Sequence, residues 1–391
     1  MKRVLLFICI IFGLGAARAD TTAVRRTVSS LGADIGAGYL FPSSGLERSD
    51  IVNGGPWLRS AVSVHAKYQM SFTAATRLGR LYPGARQGVG VSYTTFGDRR
   101  TTGSPVSVYL FQGAPVHRFS DRVSLGYEWT FGASFGWHRY SFAIGPESNV
   151  QVGSRVNAVM NLGLLLDWRV TRHFTLRAGV EGTHYSNGNT SHPNPGVNTV
   201  GARVGIVYTP SPGDIAGSGV ADADREFRGI SFDLLFYGAP HKEMVVIESG
   251  VEKPAPGRFA VAGVNFAPMW GFNRFFRAGI GLDLRYNEGA NLTKYYIPGT
   301  AAEGMKFYRQ PFSDRAMAGL SLRAELTMPI FAINVGIGRN LLAIKANRHT
   351  YQQLHLKIGV WRGTWLNVGY QLHDFHRPDN LMLGLGYTFR R

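Results

Sequence analysis

Between Val123 and Trp137 the chain alternates apolar with small or polar residues almost without a break. Val123, Leu125, Tyr127, Trp129, Phe131, Ala133, Phe135 and Trp137 share one parity. Ser124, Gly126, Glu128, Thr130, Gly132, Ser134 and Gly136 share the other. Successive strand side chains point to opposite faces, so this is a long strand with one aromatic face and one polar face. A helical period cannot accommodate the pattern. It recurs: Val156 to Trp168, Phe276 to Tyr286 and Ala318 to Leu326 alternate in the same way.

The polar faces indicate which side is inside. They mix glycine with charges of both signs: Glu128, Asp167, Arg277, Asp283, Arg285, Arg323 and Glu325. A soluble barrel would turn its apolar face inward. Here the apolar face is long and aromatic, and strands of roughly 9–11 residues span a bilayer when they close into a barrel. The expected fold is all-β, an antiparallel transmembrane β-barrel with paired charges filling a narrow lumen. Trp129 and Trp137 are both expected on the outward face.

Sixteen strand segments can be traced, from 30–41 to 380–390. Short connections, such as 119–122, 170–173 and 362–363, alternate with long ones, such as 42–56, 139–153, 240–257 and 288–315. Short periplasmic turns and longer external loops are the outer-membrane pattern. The stretch 72–86 is too long for a tight turn and departs from it. The strands divide into two sets of eight, a barrel over 28–210 and a second over 228–391, around a Pro-, Gly- and Ser-rich linker at 211–227. The halves align, with Leu176 to His184 on Leu366 to Asp374, which suggests a duplication with a degenerate second copy. Two tandem 8-stranded barrels are favoured over a single 16-stranded one, because the polar faces are crowded with charge.

The first 19 residues read as a secretory signal peptide: basic Lys2 and Arg3, an apolar run, then Ala17-Arg18-Ala19. The one cysteine, Cys9, lies inside that segment. Removing it lowers the net charge of +17 by three, to +14. A basic exported protein suits an anionic partner such as lipopolysaccharide phosphate, alongside outer-membrane lipids. Nothing indicates nucleic acid, a metal or another cofactor, and the oligomeric state is not encoded in any visible pattern. His65, His117, His138 and His355 lack metal-ligand spacing, and His192 is expected on a solvated loop.

One strand carries chemistry. From Phe174 the even positions are apolar until His184 and Ser186, which continue the same outward face. Two residues apart on a strand, their Cα atoms lie roughly 6.5–7 Å apart. Asn198 has the outward parity on the next strand, across the hairpin. A hydroxyl, an imidazole and an orienting amide thus converge at the end of an apolar stripe, the requirement for an activated serine. The bland alternative is a polar strand end at the headgroup boundary.

His184-x-Ser186-Asn187, with Pro193-Asn194-x-Gly196 before a closing strand, resembles the lipid A 3-O-deacylases of the PagL type. The resemblance covers mainly 154–210. It implies an outer-membrane barrel that hydrolyses the acyl ester at the 3 position of lipid A. It also implies Ser186 as nucleophile and His184 as general base, with Asn194 and the backbone around Asn187 and Gly188 as oxyanion candidates. The family's acid falls at position 198, where this chain has Asn198. An amide there can orient an imidazole through its carbonyl oxygen but carries no charge. Glu181 has the lumen parity and does not substitute. In the second half Asp374 and His376 fall on His184 and Ser186, so no catalysis is expected from 228–391. A non-catalytic lipid-binding or channel barrel, and a phospholipase, are the competing readings.

Overall fold

The computed structural model describes residues 25–41, 59–97, 99–141, 151–212, 224–342, 349–375 and 377–390. The signal-peptide segment, most of the linker and His376 lie outside them.

The alternating segments form strands that close twice. β1 (Thr27–Leu40), β2 (Ser60–Phe72), β3 (Arg86–Phe96), β4 (Gly103–Arg118), β5 (Val123–Trp137), β6 (Val156–Arg169), β7 (Phe174–Ser186) and β8 (Val197–Tyr208) make one antiparallel barrel. Its closure is β1 on β8, with Ile35 opposite Val204. The second barrel takes β9 (Gly229–His241), then β12 (Phe259–Gly271), β13 (Phe276–Asn287), β14 (Ala316–Thr327), β15 (Phe331–Leu342), β16 (Thr350–Trp361), β17 (Thr364–His373) and β18 (Arg377–Arg390). β18 returns to β9, with Leu385 opposite Phe236. The long connection after β9 folds into a small hairpin of β10 (Met244–Val246) and β11 (Glu252–Pro254). The oversized connection after β2 holds a short helix, Arg77–Leu81, whose N-cap Thr76 hydroxyl accepts from the Gly79 N–H at 3.0 Å.

Polar faces fill both lumens. In the first barrel Glu128 is fully buried and gathers Lys67 at 2.6 Å, Arg203 at 2.8 Å and Arg177 at 3.2 Å. Lys67 also meets Asp34 at 2.7 Å, and Arg177 meets Asp167 at 2.7 Å. In the second, Asp233 and Glu325 share Arg277 and Lys357, and Asp283 takes Arg323 and the Tyr351 hydroxyl. Such clusters persist only because each charge meets opposite charge and hydrogen bonds. Outside, Leu31, Ile35, Leu162, Leu164, Val180, Val204, Leu322 and Leu385 stand exposed, the apolar belt a bilayer requires. None of the described helices is long and apolar enough to cross a membrane.

Trp137 departs from the expected outward face. Gly136 adopts φ +93°, a conformation that costs glycine little. Beyond it the side chain turns into the barrel mouth, where Trp137 packs on Tyr185 at 5.0 Å and Phe96 at 5.4 Å. Together with Leu40, Tyr109, Phe111 and Val197 they form an apolar plug at the loop end of the first barrel.

The barrels stand side by side and touch at three levels. At the short-turn end the Tyr82 hydroxyl donates to the Arg274 carbonyl at 3.0 Å, and the Tyr82 and Phe275 rings meet edge to face. Higher up, outward-facing Trp129 is buried against Phe331, with ring centroids 4.9 Å apart, and both pack with Leu356. At the long-loop end the Asn189 amide donates to the Asp379 carbonyl at 3.3 Å.

Candidate active site

β7 and β8 pair so that His184 lies directly opposite Asn198. Paired residues project to the same face, and here the two side chains meet: His184 Nδ1 and Asn198 Oδ1 are 2.7 Å apart. A carbonyl oxygen can only accept, so Nδ1 carries the proton. Nε2 keeps its lone pair, as a general base needs. Ser186, the last residue of β7, is on the same face, and both residues line one groove. No hydrogen bond joins Ser186 Oγ to His184 among the described residues. Such contacts commonly tighten only around a substrate.

The ground beneath is rigid. Tyr185, between the two, points into the apolar plug and reaches the Thr94 hydroxyl at 3.3 Å. The loop after Ser186 folds back on itself. Asn187 N–H donates to Asn194 Oδ1 at 2.9 Å, and the Thr190 hydroxyl donates to the Asn187 carbonyl at 2.8 Å. It is tied to the preceding loop by the Ser191 hydroxyl on the Gly153 carbonyl at 2.8 Å and by Gly153 N–H on the Pro193 carbonyl at 2.7 Å. Gly196, at φ +80°, runs beneath the imidazole; a Cβ there would stand 2.8 Å from His184 Cε1.

These contacts distinguish the donors near Ser186. The Asn187 N–H is engaged by Asn194. The Asn187 side-chain nitrogen is buried beside Ser186 with no partner among the described residues, an uncommon state for a buried donor. Asn194, having used its oxygen, still has its NH2 group. Glu181 faces the lumen and pairs with Arg203 at 3.1 Å, so it takes no part. His192, expected on a solvated loop, is half-buried between the barrels, 3.2 Å from the Lys242 carbonyl; burial holds it below the usual imidazole range. In the second barrel His373 stacks on His349 at 4.7 Å, and the neighbouring Asp374 N–H is held by the Thr350 carbonyl at 3.0 Å.

The groove itself was not visible in the sequence. It encloses about 1260 Å³ and is walled by outward residues of both barrels, including Phe131, Met160 and Val200 on one side and Leu354, Val368 and Leu383 on the other. Period-2 alternation marks each wall as lipid-facing but cannot say that two such walls face each other.

The model for the lipid A 3-O-deacylase (PagL) family matches residues 63–207, and that for the acyloxyacyl hydrolase C-terminal domain matches 230–391. A comparison with curated proteins found no match. Among solved structures, the crystal structure of Neisserial surface protein A shares 12% identity, covering 47% of this chain and 99% of its own, with a TM-score of 0.30. That of the outer membrane enzyme PagL shares 16% identity, covering 45% and 97%, with a TM-score of 0.28. The two family models together span most of the chain, one on each barrel: residues 63–207 of the first barrel belong to the lipid A 3-O-deacylase (PagL) family, and residues 230–391 of the second match the acyloxyacyl hydrolase C-terminal domain.

Proposed function

We propose that this protein is an outer-membrane serine esterase that removes the 3-O-linked acyl chain of lipid A. Ser186 Oγ attacks the ester carbonyl while His184 Nε2 takes its proton. The developing oxyanion is met by amide donors beside Ser186, from Asn187, Asn194 and the Gly188 backbone. The imidazolium returns the proton to the sugar oxygen as the C–O bond breaks, so that the sugar leaves as the free hydroxyl. Water, deprotonated by the same imidazole, then releases the fatty acid from Ser186. Asn198 holds the imidazole in the required tautomer without adding negative charge.

The observation that carries this reading is the His184–Asn198 hydrogen bond, because it leaves Nε2 free on the face where Ser186 ends an apolar groove. The exposed apolar belt supports placement in a membrane, and the basic balance suits a phosphorylated lipid. Buried ion pairs across both lumens support this reading over a channel, and one cavity inside the first barrel holds only about 40 Å³. The test is the lipid A mass profile of cells expressing the wild-type chain or Ser186→Ala. Loss of one ester-linked chain with the wild type and not the variant is expected. Equal profiles would refute the assignment.

A further inference from the structure

We infer that the second barrel forms the far wall of the acyl-chain site, so that the chain being cleaved lies between two barrels rather than against one. This rests on Ser186 as the nucleophile. The groove begins at His184, Ser186 and Asn198 and continues along the outer faces of β5 and β6. Opposite stand Leu354, Val368 and Leu383 of the second barrel. Leu354 and Leu383 are 44% and 43% exposed although they face the first barrel. The barrels therefore stand apart here, whereas Trp129 and Phe331 are in contact lower down.

Shape and polarity agree on the occupant. Pockets for compact ligands hold roughly 300–1,000 Å³, and this one is larger. Its walls are mostly hydrocarbon, and His184, Ser186, Asn187 and Asn198 stand together at one end. That is the distribution an ester with a long tail presents. Register gives the depth: Ser186 pairs with Ala158, which pairs with Ala133. Trp129 is four residues further along β5, roughly 14 Å at the rise of an extended strand. The tail can run from the serine down to the seam where the barrels meet.

The second barrel also touches the loop that bears the oxyanion candidates. A Cβ on Gly188 would stand 3.1 Å from Leu381 Cδ1, and Asn189 is hydrogen-bonded to the Asp379 carbonyl. The wall and the loop are thus one contiguous surface. Occupation by ordinary membrane lipid is the competing outcome.

Two measurements decide it. First, Leu354→Trp and Leu383→Trp put bulk into the groove, while Leu322→Trp adds the same bulk to a lipid-facing site on β14 outside it. In vesicles containing lipid A, the groove variants should release the long acyl chain about tenfold more slowly or worse. Their loss on a short-chain soluble ester should be much smaller than on the long chain, and Leu322→Trp should keep both activities. Unchanged long-chain release in both groove variants would overturn the inference. Retention of the heat-dependent gel shift of a folded barrel checks that each variant is folded. Second, Ser186→Ala protein is irradiated with lipid A bearing a diazirine at the chain end. Label on β16, β17 and β18 is expected. Label confined to the first barrel, or spread evenly around both, would overturn the inference whether or not hydrolysis is ever detected. Wild-type protein that cleaves neither ester would instead refute Ser186 as nucleophile.

Discussion

His184 and Asn198 face each other across the β7–β8 register and are joined at 2.7 Å through Nδ1 and Oδ1. The bond supplies orientation but no charge. A serine triad stabilises its imidazolium with a carboxylate, and replacing that acid with its amide can be very costly. Asn198→Glu is therefore expected to raise kcat by about tenfold or more, and Asn198→Ala to lower it by about 10²-fold. Steady-state kinetics on lipid A in vesicles measures both. A slower Asn198→Glu enzyme would mean that the pocket is shaped for the amide.

Gly196 supports the same imidazole from below. Its φ is +80°, and a Cβ on it would stand only 2.8 Å from His184 Cε1, which leaves no room for alanine. Gly196→Ala should displace the ring and abolish most ester hydrolysis. The barrel should remain folded, because the strain of about 1–2 kcal/mol is confined to one loop residue. Activity and gel mobility, measured side by side, separate the two effects.

Asn194 accepts from the Asn187 N–H, and in the proposed mechanism its NH2 group also donates to the oxyanion. Asn194→Ala should lower kcat by about 10²–10³-fold with little change in KM, as loss of an oxyanion donor does. A change confined to KM would instead assign Asn194 to substrate binding.

Glu128 is the hub of the first lumen, paired at once with Lys67, Arg86, Arg177 and Arg203. Glu128→Gln removes the charge that holds four buried cations together, and breaking a buried pair costs about 3–5 kcal/mol. The variant should unfold at markedly lower urea concentration. Arg77→Ala breaks the solvent-exposed pair with Glu226 and should leave the urea midpoint where it is.

The contact between Trp129 and Phe331 joins the barrels through aromatic packing. Phe331→Ala should loosen the seam without opening either barrel. The expected readout is faster proteolysis in the linker with both barrels still resistant to heat in detergent. Unchanged linker cleavage would mean that the upper and lower contacts suffice.

The alternation of Val123 to Trp137 was enough to read a strand, its two faces and a charged lumen, because each of those depends only on neighbours two residues apart. The same parity rule placed His184, Ser186 and Asn198 on one outward face. The rule failed at Trp137, where the backbone of Gly136 inverts the face, and it said nothing of the buried pairing of Trp129 with Phe331. Closure into two barrels, the burial of His192 and the groove beside Ser186 all depend on residues far apart in the chain meeting in space. Local periodicity tells an outward apolar face from an inward polar one; only the packed structure determines what that outward face meets.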